Sequence, residues 1–398
     1  MPRFLLSLVF ALVFALAFGG TALAQGQQTF QQFLDELWPD AKAKGITRQT
    51  FDIGFKGVTP DDRVSAAIKR QPEYGKPFGD YVNSVANARR IAEGQRRAAQ
   101  LKELFDRVER QFQVEREIII AIWGIETDFG NAKDRWDVIR SLSTLAYVRY
   151  RPPYFRNELL VALKIMQDGH IARGNMLSSW AGAMGQTQFM PTNFVDYAID
   201  FSGDGKADIW TNVPDAMGST GNYLKKYGWV PKLPWGFEVT VPANFDYRKS
   251  RAKFSEWDRL GVRRADGKPY PPDNDGILFF PAGHKGPAFI ATHNFENLKE
   301  YNNSDAYAIA VGHMADRIAG AAPLKTAWPP DDHQLSREAR IGLQKKLAST
   351  GCKVPKFEGH IDFDLRDCIR AEQVKLGMVP DGTPTTALLE KLGLSITR

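Results

Sequence analysis

Residues 118–125, IIIAIWGI, carry no charge and run directly into Glu126. The pattern predicts a helix over 115–126 that is apolar nearly all round, which places it at the centre of a large core. A carboxylate at the end of such a helix loses water on one side. Desolvation disfavours its charged form and raises its pKa. Glu126 can then stay protonated near neutral pH and donate a proton, as cleavage of a glycosidic bond requires. The plain alternative is a glutamate that reaches solvent past the last turn. The usual glycosidase has a second carboxylate across the bond. Asp128 stands two residues on, which along a helix points it to the opposite side, so it reads as structural.

A chain of 398 residues that is 43% hydrophobic and 25% charged can bury a core of that size, and the composition is that of an ordinary globular protein. Residues 1–24 are different. Arg3 is followed by FLLSLVFALVFALAF at 4–18 and then by Ala22-Leu23-Ala24. This reads as a secretory signal peptide, because the apolar run is shorter than the roughly 20 residues of a membrane span. An N-terminal anchor is the alternative. No cysteine follows the run to carry a lipid, so the expected mature chain is exported, soluble and without a membrane anchor. Export argues against nucleic acid as a partner. The net charge of +6 suits an anionic envelope polymer or membrane surface, or only a solvated surface. In an exported chain Cys352 and Cys368 read as a disulfide, with two buried thiols as the alternative.

Residues 28–112 read as helices with polar punctuation, and 81–108 is rich in the helix formers Arg, Ala, Leu and Glu. Further helices are expected at 159–166, at 215–227 ending before Gly228, and at 305–319. The runs FEVTV (237–241), GILFF (276–280) and AFIAT (288–292) predict short strands in a small β-containing lobe. AWPPDD (327–332) reads as a linker. Beyond it, a helix from Ser336, a turn near Gly351, a helix over 364–376 and the turn and short helix of VPDGTPTTALLEKL make a small helical unit. The expected fold class is mainly α (α+β).

Two more stretches carry chemistry. In SSWAGAMGQTQFMP (178–191), Gly182 and Gly185 allow close backbone approach. Gln188 offers amide hydrogen bonds and Phe189 a flat apolar face, the two things a sugar ring meets. A packed glycine-rich turn is the alternative. In DFSGDGKADIWT (200–211), oxygen ligands fall at Asp200, Ser202, Asp204 and Asp208, the Lys206 carbonyl follows, and Gly205 stands at the sharp turn. This resembles an EF-hand calcium loop. Thr211 replaces the bidentate glutamate, and Asp215 can substitute for it. A metal-free Asp/Gly turn is the alternative, and a calcium ion here would be structural. The six histidines show no zinc spacing, and there is no nucleophile elbow or phosphate-binding loop.

AIWGIETDFG, SSWAGAMGQTQFMP, YAIDFSGDGKADIW and YNNSDAYAIAV, in that order, resemble the lytic murein transglycosylase B family over roughly residues 28–320. Residues 334–393 resemble the small helical peptidoglycan-binding domain often appended to such enzymes, through Leu343-Gln344, the Gly351 turn, Gln373 and Pro380-Asp381-Gly382. The resemblance implies a lysozyme-like domain over 25–326, a linker at 327–333 and a peptidoglycan-binding domain over 334–398. It implies non-hydrolytic cleavage of the β-1,4 bond between N-acetylmuramic acid and N-acetylglucosamine, with the muramic C6 hydroxyl attacking C1 of its own ring. Glu126 then matches a single acid/base, and no second carboxylate or cofactor is needed.

By the same resemblance Ser179 and Asn302 match polar neighbours that orient the glutamate and the intermediate. Gln188 and Phe189 match groove residues, Tyr81, Tyr301 and Tyr307 aromatic groove positions, and Arg151 a basic groove residue. The Asp200 loop, with Ser202, Asp204, Lys206, Asp208 and Asp215, matches the family's calcium site, with one residue more before Asp215 than the family pattern. Tyr150 departs from the pattern where a second arginine stands. The implied protein is a periplasmic monomer acting on glycan strands, with other cell-wall enzymes as further partners. A muramidase of the same bond and a non-catalytic wall-binding protein are the competing readings.

Overall fold

The computed structural model describes residues 28–69, 77–132, 136–330 and 334–395. The expected export segment at 1–24 lies outside the described residues, as does 331–333 of the expected linker. Among the described residues no helix is long and apolar enough to cross a membrane.

Helices α1 (Phe30–Ala43), α2 (Arg48–Phe55), α3 (Asp62–Lys69), α4 (Phe78–Val85), α5 (Ala88–Gln100) and α6 (Lys102–Phe112) lead to α7 (Arg116–Thr127). As expected, α7 is buried: every residue from Ile118 to Gly124 lies inside. The stretch 81–108 is divided among α4, α5 and α6. It breaks at Ala86, where Asn87 accepts from the Arg90 N–H and starts α5, and again at Leu101. A capping side chain offers the backbone a partner that a continuing helix would not.

The chain continues through β1 (Trp136–Asp137), α8 (Val138–Tyr147), α9 (Tyr154–Gln167), β2 (Leu177–Ser178), α10 (Pro191–Tyr197) and α11 (Val213–Lys226). The β-lobe follows, with β3 (Gly236–Thr240), β4 (Arg251–Lys253), α12 (Phe254–Arg259), β5 (Arg263–Arg264), β6 (Asp275–Phe279) and β7 (Ala288–Ala291). The five strands form an antiparallel sheet in the order β4-β6-β7-β3-β5. The lobe has its own core, including Phe237, Trp257, Leu278 and Ile290.

Helices α13 (His293–Tyr301) and α14 (Asp305–Ile318) return the chain to α7. The crossing of α7 and α14 is close because of Gly124. A Cβ there would lie 2.6 Å from Phe129 Cζ and 2.7 Å from Met314 Cε. The main core therefore tightens two residues before Glu126.

Helices α15 (Arg337–Ser349), α16 (Phe363–Lys375) and α17 (Thr386–Lys391) enclose a third core with Leu343, Leu347, Ile369, Leu388 and Leu389. The Cys352–Cys368 disulfide is present. This unit is docked on the rest of the molecule. Phe363 packs against Phe279 and Phe295, Thr383 Oγ1 donates to the Phe280 carbonyl at 2.6 Å, and Arg251 pairs with Asp364 and Asp367. Trp328, in the expected linker, stacks on Phe78 at 5.3 Å. The connection is anchored where the prolines alone suggested a spacer.

Candidate active site

Glu126 stands in the last turn of α7, half-buried. Tyr307, in the first turn of α14, donates its hydroxyl to Glu126 Oε1 at 2.7 Å. Oε1 is thereby an acceptor from a fixed donor. Tyr307 is 1% exposed. Burial, and then the Glu126 charge beside it, hold its phenol well above the usual tyrosine range, so it stays a neutral donor at any working pH. The same two causes, in the same order, act on Tyr301. The two rings stack with centroids 6.5 Å apart and an interplanar angle of 7°.

The glycine-rich segment closes against the end of α7. The Tyr301 hydroxyl donates to the Thr187 carbonyl at 2.6 Å. Thr127 Oγ1 donates to the Gln186 carbonyl, and Trp123 Nε1 donates to Gln186 Oε1 at 3.0 Å. Gly182 and Gly185 take φ of +86° and +72°, the left-handed region that glycine alone enters freely. Gln186 and Thr187 were not singled out from sequence, although both lie in the quoted run.

Several expected residues take other places. Phe189 is 1% exposed, with its ring against Tyr223 and Tyr301; it is a wall behind the site, not a platform facing sugar. Tyr307 is likewise a buried partner of the acid and not a groove-facing ring. Gln188 has φ +58° and donates from Nε2 to the Gly185 carbonyl at 3.0 Å. Ser179 Oγ accepts from the Ala183 N–H at 3.2 Å, tying off the turn. Asn302 ends α13, and its carbonyl accepts from the Ser304 N–H at 2.6 Å, at the corner between the two tyrosines. Tyr81 is half-buried on α4, near enough to Tyr307 to act on its ionisation. Arg151, with φ +48°, lines a cleft of about 1270 Å³ between the body and the C-terminal unit, together with Asn303, Ser304 and Asp305. Glu126 does not line that cleft.

Asp128 is paired elsewhere. It accepts from Arg89 at 2.7 Å and lies 3.4 Å from Arg90. The Arg89 hydrogen bond holds its carboxyl below the usual range against a smaller effect of burial. A carboxylate fixed in that state is not a second proton donor.

In the Asp200 loop, carboxylate oxygens of Asp200, Asp204 and Asp215 all lie within 4.8 Å of one another. Two ligands on opposite sides of a calcium ion stand roughly 4.6–5.2 Å apart, so the donor set fits that ion. Asp215 is fully buried and accepts from the Phe201, Ser202 and Asp208 N–H groups. It closes the loop from the first turn of α11. Asp208 is outside the converging group; its carboxylate accepts from the Trp210 and Thr211 N–H groups at 2.8 and 2.9 Å. The expected ligand is a turn cap. Asn212, not anticipated, donates to both Ser202 Oγ and Asp204 Oδ2, and the Lys206 N–H donates to Asp204 Oδ1.

The transglycosylase SLT domain family matches residues 29–316. The membrane-bound lytic murein transglycosylase B of Escherichia coli (strain K12) is 33% identical over 226 residues, which is 55% of this chain and 61% of that protein. The chain thus spans under two thirds of that relative's length. SltB3 from Pseudomonas aeruginosa, solved in complex with NAG-anhNAM-pentapeptide, superposes with a TM-score of 0.83 at 44% identity, over 92% of this chain and 100% of that one. Escherichia coli Slt35, solved in complex with calcium, gives a TM-score of 0.62 at 27% identity, over 74% and 93%.

Proposed function

Because this chain belongs to the transglycosylase SLT domain family, we propose that it is a peptidoglycan lytic transglycosylase whose single acid/base is Glu126. The observation that carries the reading is the half-buried Glu126 with Oε1 held by Tyr307, while Asp128 is occupied by Arg89. One carboxylate must then serve twice. Protonated at Oε2, Glu126 gives its proton to the glycosidic oxygen as the bond to C1 breaks and N-acetylglucosamine leaves. The resulting carboxylate takes the proton of the muramic C6 hydroxyl as that oxygen bonds to C1. The substrate's own N-acetyl group stabilises the intermediate between the two steps. The glutamate returns to its acid form, no water is consumed, and the product ends in a 1,6-anhydro ring. One group switching between acid and base follows the logic of retaining glycosidases.

Tyr81, Ser179, Gln188 and Asn302 are assigned to the substrate groove around this centre, and Arg151 to a stem-peptide carboxylate at its rim. The wall substrate supports a periplasmic location with residues 1–24 as the export signal, and residues 334–398 as a peptidoglycan-binding domain. Asp200, Asp204 and Asp215 would hold a structural calcium ion, which would brace the loop before α11 and takes no part in the chemistry.

Mass spectrometry of the soluble products from purified peptidoglycan tests the reading. Muropeptides ending in 1,6-anhydromuramic acid are expected. Reducing-end products, heavier by one water, would make the enzyme a muramidase. Equal binding and no products from both wild type and Glu126→Gln would make it a wall-binding protein.

A further inference from the structure

We infer that Arg366, in the C-terminal unit, is a positioning residue for the Glu126 site, acting through Asp305 and the corner between α13 and α14. This rests on the reading above. Asp305 is the first residue of α14 and Tyr307 is the third. Tyr301 is the last residue of α13. The two stacked tyrosines beside Glu126 therefore flank a short corner, and one carboxylate holds that corner from behind.

Asp305 Oδ2 accepts from Arg366 Nη2 at 2.8 Å, and Asp305 Oδ1 lies 3.1 Å from Lys299 Nζ on α13. One side chain thus ties α13, α14 and α16 together. The side chains of Asp305, Lys299 and Arg366 are only 10%, 5% and 6% exposed. Burial alone would favour a neutral carboxyl; Lys299 and Arg366 overcome it and hold Asp305 ionised, far below the usual range. A buried charge of this kind is fixed in direction by its partners, because solvent does not screen it.

Arg366 is itself constrained. Its Nη1 donates to the Gly382 carbonyl at 3.3 Å, and its guanidinium lies over the Phe279 ring at 5.7 Å. Phe363, one turn earlier on α16, fits between Phe279 and Phe295, and Lys299 lies over both Phe295 and Phe363. The C-terminal unit consequently grips the catalytic corner, and is not only a tethered wall anchor. If Arg366 is withdrawn, Asp305 keeps Lys299 alone and is free to turn toward α13. The first turn of α14 moves with it, and the Tyr307 hydroxyl leaves its alignment with Glu126 Oε1. Misplacements of about 1 Å remote from the chemistry can cost on the order of a hundredfold in rate.

The test uses the full-length chain on a short soluble glycan too small to span the C-terminal unit. Arg366→Met should lower kcat between about ten- and hundredfold, leave KM within about twofold, and displace the limbs of the kcat–pH profile. Arg366→Lys should recover much of the loss. Thr383→Ala, which removes a docking contact away from the corner, should leave kcat and the pH limbs unchanged. Wild-type kcat and pH limbs in Arg366→Met, with loss confined to stability or to retention on insoluble peptidoglycan, would overturn the inference. If Arg366→Met does not fold, Asp305→Asn carries the same test, and wild-type kcat with wild-type pH limbs in it would overturn the inference. Hydrolytic products from the wild type would sink the lyase reading, while the effect of Arg366 would still be read on the rate of bond cleavage.

Discussion

Tyr307 donates to Glu126 Oε1 at 2.7 Å across 181 residues of sequence. On the proposed role of Glu126 as the acid, the bond leaves Oε2 to carry the transferable proton. A hydrogen bond to a charged group is worth roughly 1.5–3 kcal/mol, which is ten- to hundredfold in rate. Tyr307→Phe should lower kcat by that factor on soluble glycan, because the ring and its stack on Tyr301 remain while the donor is lost. Tyr301→Phe removes a bond to the Thr187 carbonyl instead, so it should cost less. Equal effects of the two substitutions on kcat would show that the hydroxyl on Glu126 is not special.

Gly124→Ala should destabilise the protein by about 1–3 kcal/mol through overpacking. Met314 Cε is the end of a flexible chain and can move, but the Phe129 ring is 3% exposed and cannot. Thermal unfolding would reveal the change as a lowered Tm. An unchanged Tm would mean that the α7–α14 crossing is looser than the geometry indicates.

Glu126 was legible in the sequence because its signal is local: a charge-free run, then an acid. The strands β3, β6 and β7 were legible for the same reason, as short β-prone runs between turns. What was not legible depends on distant pairs. Tyr307 reads as one more aromatic until α14 lies on α7. Arg366 and Asp305 are 61 residues apart and belong to different units. Phe189 has the composition of a sugar platform, yet its ring is needed between Tyr223 and Tyr301. Asp208 occupies a ligand position by spacing, but two backbone N–H groups claim it. The break between α4 and α5 is marked by one capping side chain, Asn87, which composition does not single out.

Asp316 gives stability a pH dependence. It is half-buried in the last turn of α14, accepts from Trp235 Nε1 at 3.0 Å, and desolvation of its carboxyl raises the pKa to about 7. Between about pH 4 and 7 the folded state holds a proton here that the unfolded state has released. Stability from this group is therefore full below pH 4, falls as pH rises to 7, and is flat above it. The fall is up to about 4 kcal/mol, at 1.36 kcal/mol per pKa unit. Asp316→Asn should remove that slope, so that wild type and variant differ most at pH 8 and least at pH 4.5 in denaturant midpoints. Parallel curves for the two proteins would show that Asp316 ionises normally.

Calcium should stabilise the protein through the Asp200 loop. The two oxygens of Asp200 accept from the N–H groups of Gly203, Asp204 and Gly205, and these bonds hold its carboxyl below the usual range. The loop is thus already curled around a charged oxygen, with Asp204 and the buried Asp215 turned toward it. An ion added to this arrangement offsets three mutually repelling carboxylates without reorganising the backbone. At a hundredfold excess over its dissociation constant, a ligand that binds only the folded state adds about 2.7 kcal/mol. The Tm should rise with calcium and return with chelator, and Asp204→Asn should abolish the rise. Asp208→Asn should preserve it, because the geometry makes that residue a cap and not a ligand. Loss of the calcium response in Asp208→Asn would restore the spacing-based ligand set, and no response in the wild type would leave the loop a metal-free turn.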